Sequence, residues 1–137
     1  MIAVLSQAQR GRELQPASAD STHPAQYLLF FDGGSRGNPG PGGSGAVIVR
    51  VSHQATRASV IWSAAMSAAS RTTTNNQAEY AGVIHGLRAA RASSWTPLEV
   101  VGDSQLILRQ LRDYRPPRNE RLREDYAIAR RLADTLG

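Results

Sequence analysis

Residues 27–32 read YLLFFD, an apolar and aromatic run with no polar alternation. That pattern predicts a buried central strand ending near Asp32. GSGAVIVRV (43–51) and SVIWSAAMS (59–67) follow, joined by a polar loop around HQATR, and predict an antiparallel hairpin. From Asn75 the period lengthens. Val83, Ile84, Leu87 and Ala90 recur at three- and four-residue spacing, so an amphipathic helix is predicted to about Ser93. Thr74 or Asn75 can cap its start. LEVVGD (98–103) reads as a second short apolar strand with an acidic end. SQLILRQLRDY (104–114) predicts a helix stopped by Pro116 and Pro117. NERLREDYAIARRLADTL (119–136) predicts a last helix, with Leu122, Tyr126, Ala129 and Leu136 near one stripe. The order is strand, strand, strand, helix, strand, helix, helix, which predicts an α/β domain with helices against a mixed sheet. Residues 1–25 are mixed, polar and without a sustained period, and predict a flexible leader ahead of a domain at 26–137.

Composition narrows the chemistry. The chain has 137 residues, enough for one domain with a single core. No apolar run approaches the roughly 20 residues of a membrane span, and MIAVL is too short for a secretory signal core. With no cysteine, disulfides, thiolate metal sites and a cysteine nucleophile are excluded. His23, His53 and His85 show no metal-ligand spacing, so any bound metal must be held by carboxylates, which suits hard ions such as magnesium or manganese. The net charge of +5 comes entirely from arginine. Arginine matches phosphate oxygens with a planar fork of donors, and a GC-rich genome would favour it equally. The charge allows a nucleic-acid partner and does not require one.

Gly40, Gly42 and Gly45 formally match the dinucleotide fingerprint G-x-G-x-x-G, but the turn leads into the strand AVIVRV rather than a helix. No Gly-Lys-Ser/Thr follows, so a P-loop is excluded too. The acids are more informative. Asp32 and Asp103 each close a strand that otherwise reads as buried. If those strands are parallel neighbours, the two carboxylates lie together and repel unless a cation or a shared proton compensates. Glu79 shares the inward stripe of its helix, one turn before Val83. Any one of these acids could be a turn or cap residue; three near a common edge point to a site. Asn75 and Asn76 lie about one turn before Glu79, where they can cap the helix, read a ribose hydroxyl, or both.

FDGGSRGNPGPGGSGAVI, TTTNNQAEYAGVIHGL and LEVVGDSQLILRQL resemble three successive motifs of the ribonuclease H type 1 family, in the family's order. The resemblance implies a ribonuclease H-like mixed five-stranded sheet flanked by helices. It implies an enzyme that cuts the RNA strand of an RNA–DNA hybrid, leaving 3′-hydroxyl and 5′-phosphate ends. Asp32, Glu79 and Asp103 match metal-binding carboxylates, expected to hold two Mg2+ or Mn2+ ions about the scissile phosphate. Ser35, Arg36, Asn38, Asn75 and Asn76 fall where the family contacts the hybrid. No protein partner is implied.

The family continues with a fifth strand and a final helix carrying a fourth acidic ligand. Here the two helices after Asp103 use the remaining residues, so both elements are expected to be missing and the strand at 98–103 to be an open edge. Asp134, beside Arg130 and Arg131, is not expected to be the fourth ligand. Arg115, Arg118, Arg121 and Arg123 could face a duplex, or form a solvated helix face interleaved with acids. On this reading the chain is a truncated copy. The alternatives to a hybrid nuclease are a non-catalytic binding remnant and a DNA-directed nuclease of the same fold.

Overall fold

The computed structural model describes residues 2–4, 25–35, 40, 42–52, 57–68, 74–102 and 104–136. Among these residues, five strands and three helices run in the order β1 (Ile2–Val4), β2 (Gln26–Ser35), β3 (Gly42–Val51), β4 (Ala58–Ala68), α1 (Asn75–Ser93), β5 (Leu98–Gly102), α2 (Gln105–Asp113) and α3 (Glu120–Thr135). They make one mixed sheet in the order β1-β5-β2-β3-β4. β2 pairs antiparallel with β3, β3 antiparallel with β4, and β5 lies parallel to β2. The predicted elements from β2 onward are therefore present, and the mixed sheet flanked by helices holds.

Two expectations are corrected at the amino end. Residues 2–4 were expected in a leader without structure, yet they form β1. The strand at 98–102 was expected to be an open edge, yet β1 pairs parallel to it with Ile2 opposite Leu98 and Val4 opposite Val100. Among the described residues the edge position beside β5 is filled by β1, near the amino terminus. The physical reason is the unpaired row of backbone donors and acceptors on β5, which any extended segment can satisfy.

Strand alternation divides the sheet into two faces. Leu29 and Phe31 of β2, Ala46 and Ile48 of β3, and Leu98 and Val100 of β5 join Val83, Leu87, Ile107, Leu108, Leu111, Ala129 and Leu132 of the helices in the main core. α1 lies close on this face because glycine permits it. A Cβ on Gly86 would fall 2.2 Å from Leu29 Cδ1, and one on Gly82 would fall 3.0 Å from the Gly45 carbonyl oxygen. On the opposite face Leu28, Val49 and Val51 form a second cluster with Phe30 and Val47, and among the described residues no helix residue belongs to it.

α2 is tied to its neighbours by polar contacts. The Tyr80 hydroxyl donates to Gln110 Oε1 at 2.5 Å, inside the core. The helix ends on Tyr114, whose left-handed backbone (φ 54°) turns the chain two residues before Pro116. Arg130 closes this corner: it donates to the Leu111 carbonyl at 3.0 Å, pairs with Asp134, and stacks 3.9 Å above the Tyr114 ring. Asp134 is thus held by arginine.

Candidate active site

The site is built where β2, β5 and α1 meet. β2 and β5 are parallel neighbours, with Phe30 opposite Val101 and Phe31 opposite Gly102. Asp32 therefore follows one member of the last pair and Asp103 the other. The two strands are thus parallel neighbours; Asp103 itself lies outside the described residues. Gly102 packs against Phe31 so closely that a Cβ would lie 2.3 Å from the ring, which holds the two strand ends together.

α1 brings the third acid. Thr74 caps the helix and closes a capping box: its Oγ1 accepts from the Gln77 N–H at 3.2 Å, and Gln77 Oε1 accepts from the Thr74 N–H at 2.9 Å. Of the two capping candidates the structure selects Thr74, leaving Asn75 and Asn76 in the first turn. That turn sits directly on β2. A Cβ on Gly33 would fall 2.6 Å from the Ala78 carbonyl carbon and 2.7 Å from the Glu79 nitrogen, while a Cβ on Gly34 would meet Asn75 Oδ1 at 3.7 Å. Glu79 and Asn75 are thereby brought beside the residues that follow Asp32. Both are half-buried, and both make further polar interactions.

The Asp32 side chain is exposed, and its Oδ1 accepts the Gly33 N–H at 2.8 Å. It borders two open cavities. One, of about 570 Å3, is a groove lined by Gly33, Gly34, Gly43, Ser44, Gly45 and Met66, so much of its wall is bare backbone. The other, of about 510 Å3, lies on the face away from α1 between Phe30, Val47, Ser63, Ala65 and Val101. Of the remaining predicted contact residues, Arg36 and Asn38 and the Ser35 side chain lie outside what the structure describes. Ser44 and Met66 were not singled out by sequence. Ser44 becomes visible only through its register opposite Gly33.

A donor set of aspartate and glutamate suits a hard divalent cation. Among the described residues no three metal-ligating side chains group together, and Asp103 is not one of those residues.

A family described as reverse transcriptase-like matches residues 30–136. The chain belongs to that family. The bifunctional protein Rv2228c of Mycobacterium tuberculosis is 41% identical over 86 residues, which span 63% of this chain and 22% of that protein. The solved RNase H domain of that protein superposes with a TM-score of 0.69 at 35% identity, covering 81% of this chain and 76% of that one. RNase H1 of Halobacterium salinarum superposes with a TM-score of 0.68 at 34% identity, covering 80% and 78%. LC11-RNase H1, solved in complex with an RNA/DNA hybrid, gives 0.64 at 29% identity, covering 77% and 75%. The fold of this family member is thus ribonuclease H-like. Its match spans only a minor part of the mycobacterial protein's length.

Proposed function

We propose that the chain is a divalent-metal-dependent endonuclease that hydrolyses the RNA strand of RNA–DNA hybrids. The observation that supports this is the parallel register of Phe31 with Gly102, the residues that precede Asp32 and Asp103 in the chain, with Gly33 seating the first turn of α1 and its Glu79 beside Asp32. Ribonuclease H relatives, one of them solved with a hybrid, support the substrate class.

Asp32, Glu79 and Asp103 would hold the ions, whose contribution when bound is Lewis acidity toward the scissile phosphate and its attacking water. The carboxylates need not move protons; their task is to stay ionised and fixed. The Gly33 N–H steadies one Asp32 oxygen for that purpose. The glycine-walled groove beside Asp32 lets a sugar–phosphate strand approach the backbone without meeting a Cβ. Asn75 and Asn76, with Ser35, Arg36 and Asn38, are assigned to the hybrid. Asparagine can donate to and accept from a 2′-hydroxyl, which is the group that separates RNA from DNA.

The test is cleavage of an end-labelled hybrid in magnesium and in manganese, with DNA duplex as competitor substrate and Asp32→Asn alongside. Hybrid cleavage lost in the variant is expected, with 3′-hydroxyl and 5′-phosphate ends. A second reading has its own observation: Asp134 in the last helix is engaged by Arg130, which turns it away from service as a further metal ligand. Hybrid binding without cleavage in either metal would favour that reading, a binding remnant of the family's enzymes. Cleavage of DNA duplex in preference to hybrid would overturn both.

A further inference from the structure

The two edges of the sheet differ in length and chemistry. β1, at one edge, has three residues. β4, at the other, has eleven, and among the described residues it pairs with β3 alone. Its sequence, ASVIWSAAMSA, contains no charged residue, proline or glycine. An edge strand presents a row of backbone N–H and C=O groups that a further strand can take up. Charge, proline, shortness or a bulge are the usual defences. β4 has only the last of these. Val49 pairs with Val60 and Ile48 with Trp62, so Ile61 is an extra residue that bends the strand and interrupts its outer row. From Trp62 to Ala68 the register with β3 is unbroken, which leaves seven residues of regular edge.

Symmetry and charge together name the strand that fits there. Ser63, Ala65 and Ser67 are exposed and small, while Trp62, Ala64 and Met66 are half-buried. The regular stretch is centred on Ala65. A second copy, turned about a two-fold axis through that residue, sets Ser63 opposite Ser67 and Ala64 opposite Met66, with Ala65 facing itself. None of these pairs joins two large side chains or two charges, and serines across a strand pair can share hydrogen bonds. Charge selects the antiparallel direction. Arg57 and Arg50 are exposed at the amino end of β4, where Arg50 lies opposite Ser59. A parallel partner would bring the two copies of Arg57 side by side, in a chain whose net charge is already +5. The antiparallel pair holds them about 50 Å apart at the rise of an extended strand.

We propose that two copies of this chain pair β4 to β4, antiparallel about a two-fold axis at Ala65, to make one continuous sheet. Each copy uses its long edge on the other, so the assembly closes at two. A few strand residues make a small interface, below that of permanent dimers, and the pair therefore forms reversibly with concentration. This inference is independent of catalysis.

Sedimentation of the full chain over a range of concentrations is the test. The mass should rise from that of one chain toward twice that value. The outward amides among residues 62–68 should exchange more slowly as it does. Ala65→Lys should weaken the association at least about tenfold, because the two-fold axis sets the new charges against each other. Ala65→Asp should do the same, and mixing the two variants should restore a dimer. Val60→Lys, at an exposed position before the bulge, should leave the dimer unchanged. A parent chain that stays monomeric up to about 1 mM would overturn the proposal. So would growth beyond two chains, or a dimer that each Ala65 variant forms alone as readily as the parent. Should a variant fail to fold, the parent decides by itself: a dimer with unslowed exchange at residues 62–68 would place the contact elsewhere and overturn the proposal.

Discussion

At Gly33 a hydrogen atom in place of a Cβ decides how closely α1 can approach β2. Alanine there would meet backbone atoms of Ala78 and Glu79 at 2.6 and 2.7 Å, and backbone cannot rotate away as a side-chain tip can. Gly33→Ala should cost about 1–3 kcal/mol of stability, as overpacking does. Because the strain falls on Glu79, hybrid cleavage should drop further than the loss of folded protein explains, which paired urea titration and rate measurement would show. Tyr80 makes a different kind of contact: with its hydroxyl removed, Gln110 is left buried without that donor. Tyr80→Phe should destabilise by about 1–3 kcal/mol, with activity of the remaining folded protein intact. Burial also raises the Asp125 carboxyl above its ordinary value of 3.8, helped by neighbouring Glu124. Its folded-state pKa exceeds the unfolded one, so the folded chain holds more protons between the two values and stability falls as pH rises through that window. Melting curves of Asp125→Asn should lack this part of the fall, and identical pH profiles for variant and parent would refute the assignment.

Among the elements, α1 depends on its first turn. Thr74 and Gln77 satisfy two helix-start N–H groups reciprocally, and the turn they secure carries Asn75, Asn76 and Glu79. Thr74→Ala should cost about 1 kcal/mol and raise KM for hybrid, because the turn frays where the substrate is proposed to lie. β1 is short, yet it occupies the edge of the sheet that β5 would otherwise present to solvent. A chain beginning at residue 5 should show faster amide exchange along β5 and concentration-dependent association, read by light scattering. Unchanged exchange at Val100 would mean that β1 contributes nothing to the edge.

For the whole molecule, the positive charge of +5 is spread over arginines rather than gathered into one motif. Binding to hybrid should weaken linearly with the logarithm of salt concentration, while the preference for hybrid over DNA duplex changes little, since phosphates position and 2′-hydroxyls discriminate. A preference that disappears with salt would assign selectivity to charge instead of the asparagines.

Much of the local structure was legible along the chain. The elements from β2 to α3 begin and end close to where period, caps and turn residues place them, because helix and strand patterns are repeats over neighbouring positions. The acidic ends of two strands and an inward-facing Glu79 were equally visible, since each is a departure from such a repeat. Residues 2–4 were not, because three residues are too few to display a period and an edge strand is recruited by the unpaired groups of its neighbour. Nor does the sequence show that Gly82 and Gly86 seat α1 on β2, or that Ser44 and Met66 wall the groove beside Asp32. The sequence by itself determined which segments become strands and helices and which carry carboxylates. Only the tertiary structure decided that β2 and β5 are parallel neighbours and that β1 takes the edge beside β5. Those outcomes depend on register and burial between residues far apart in the chain, which no local pattern records.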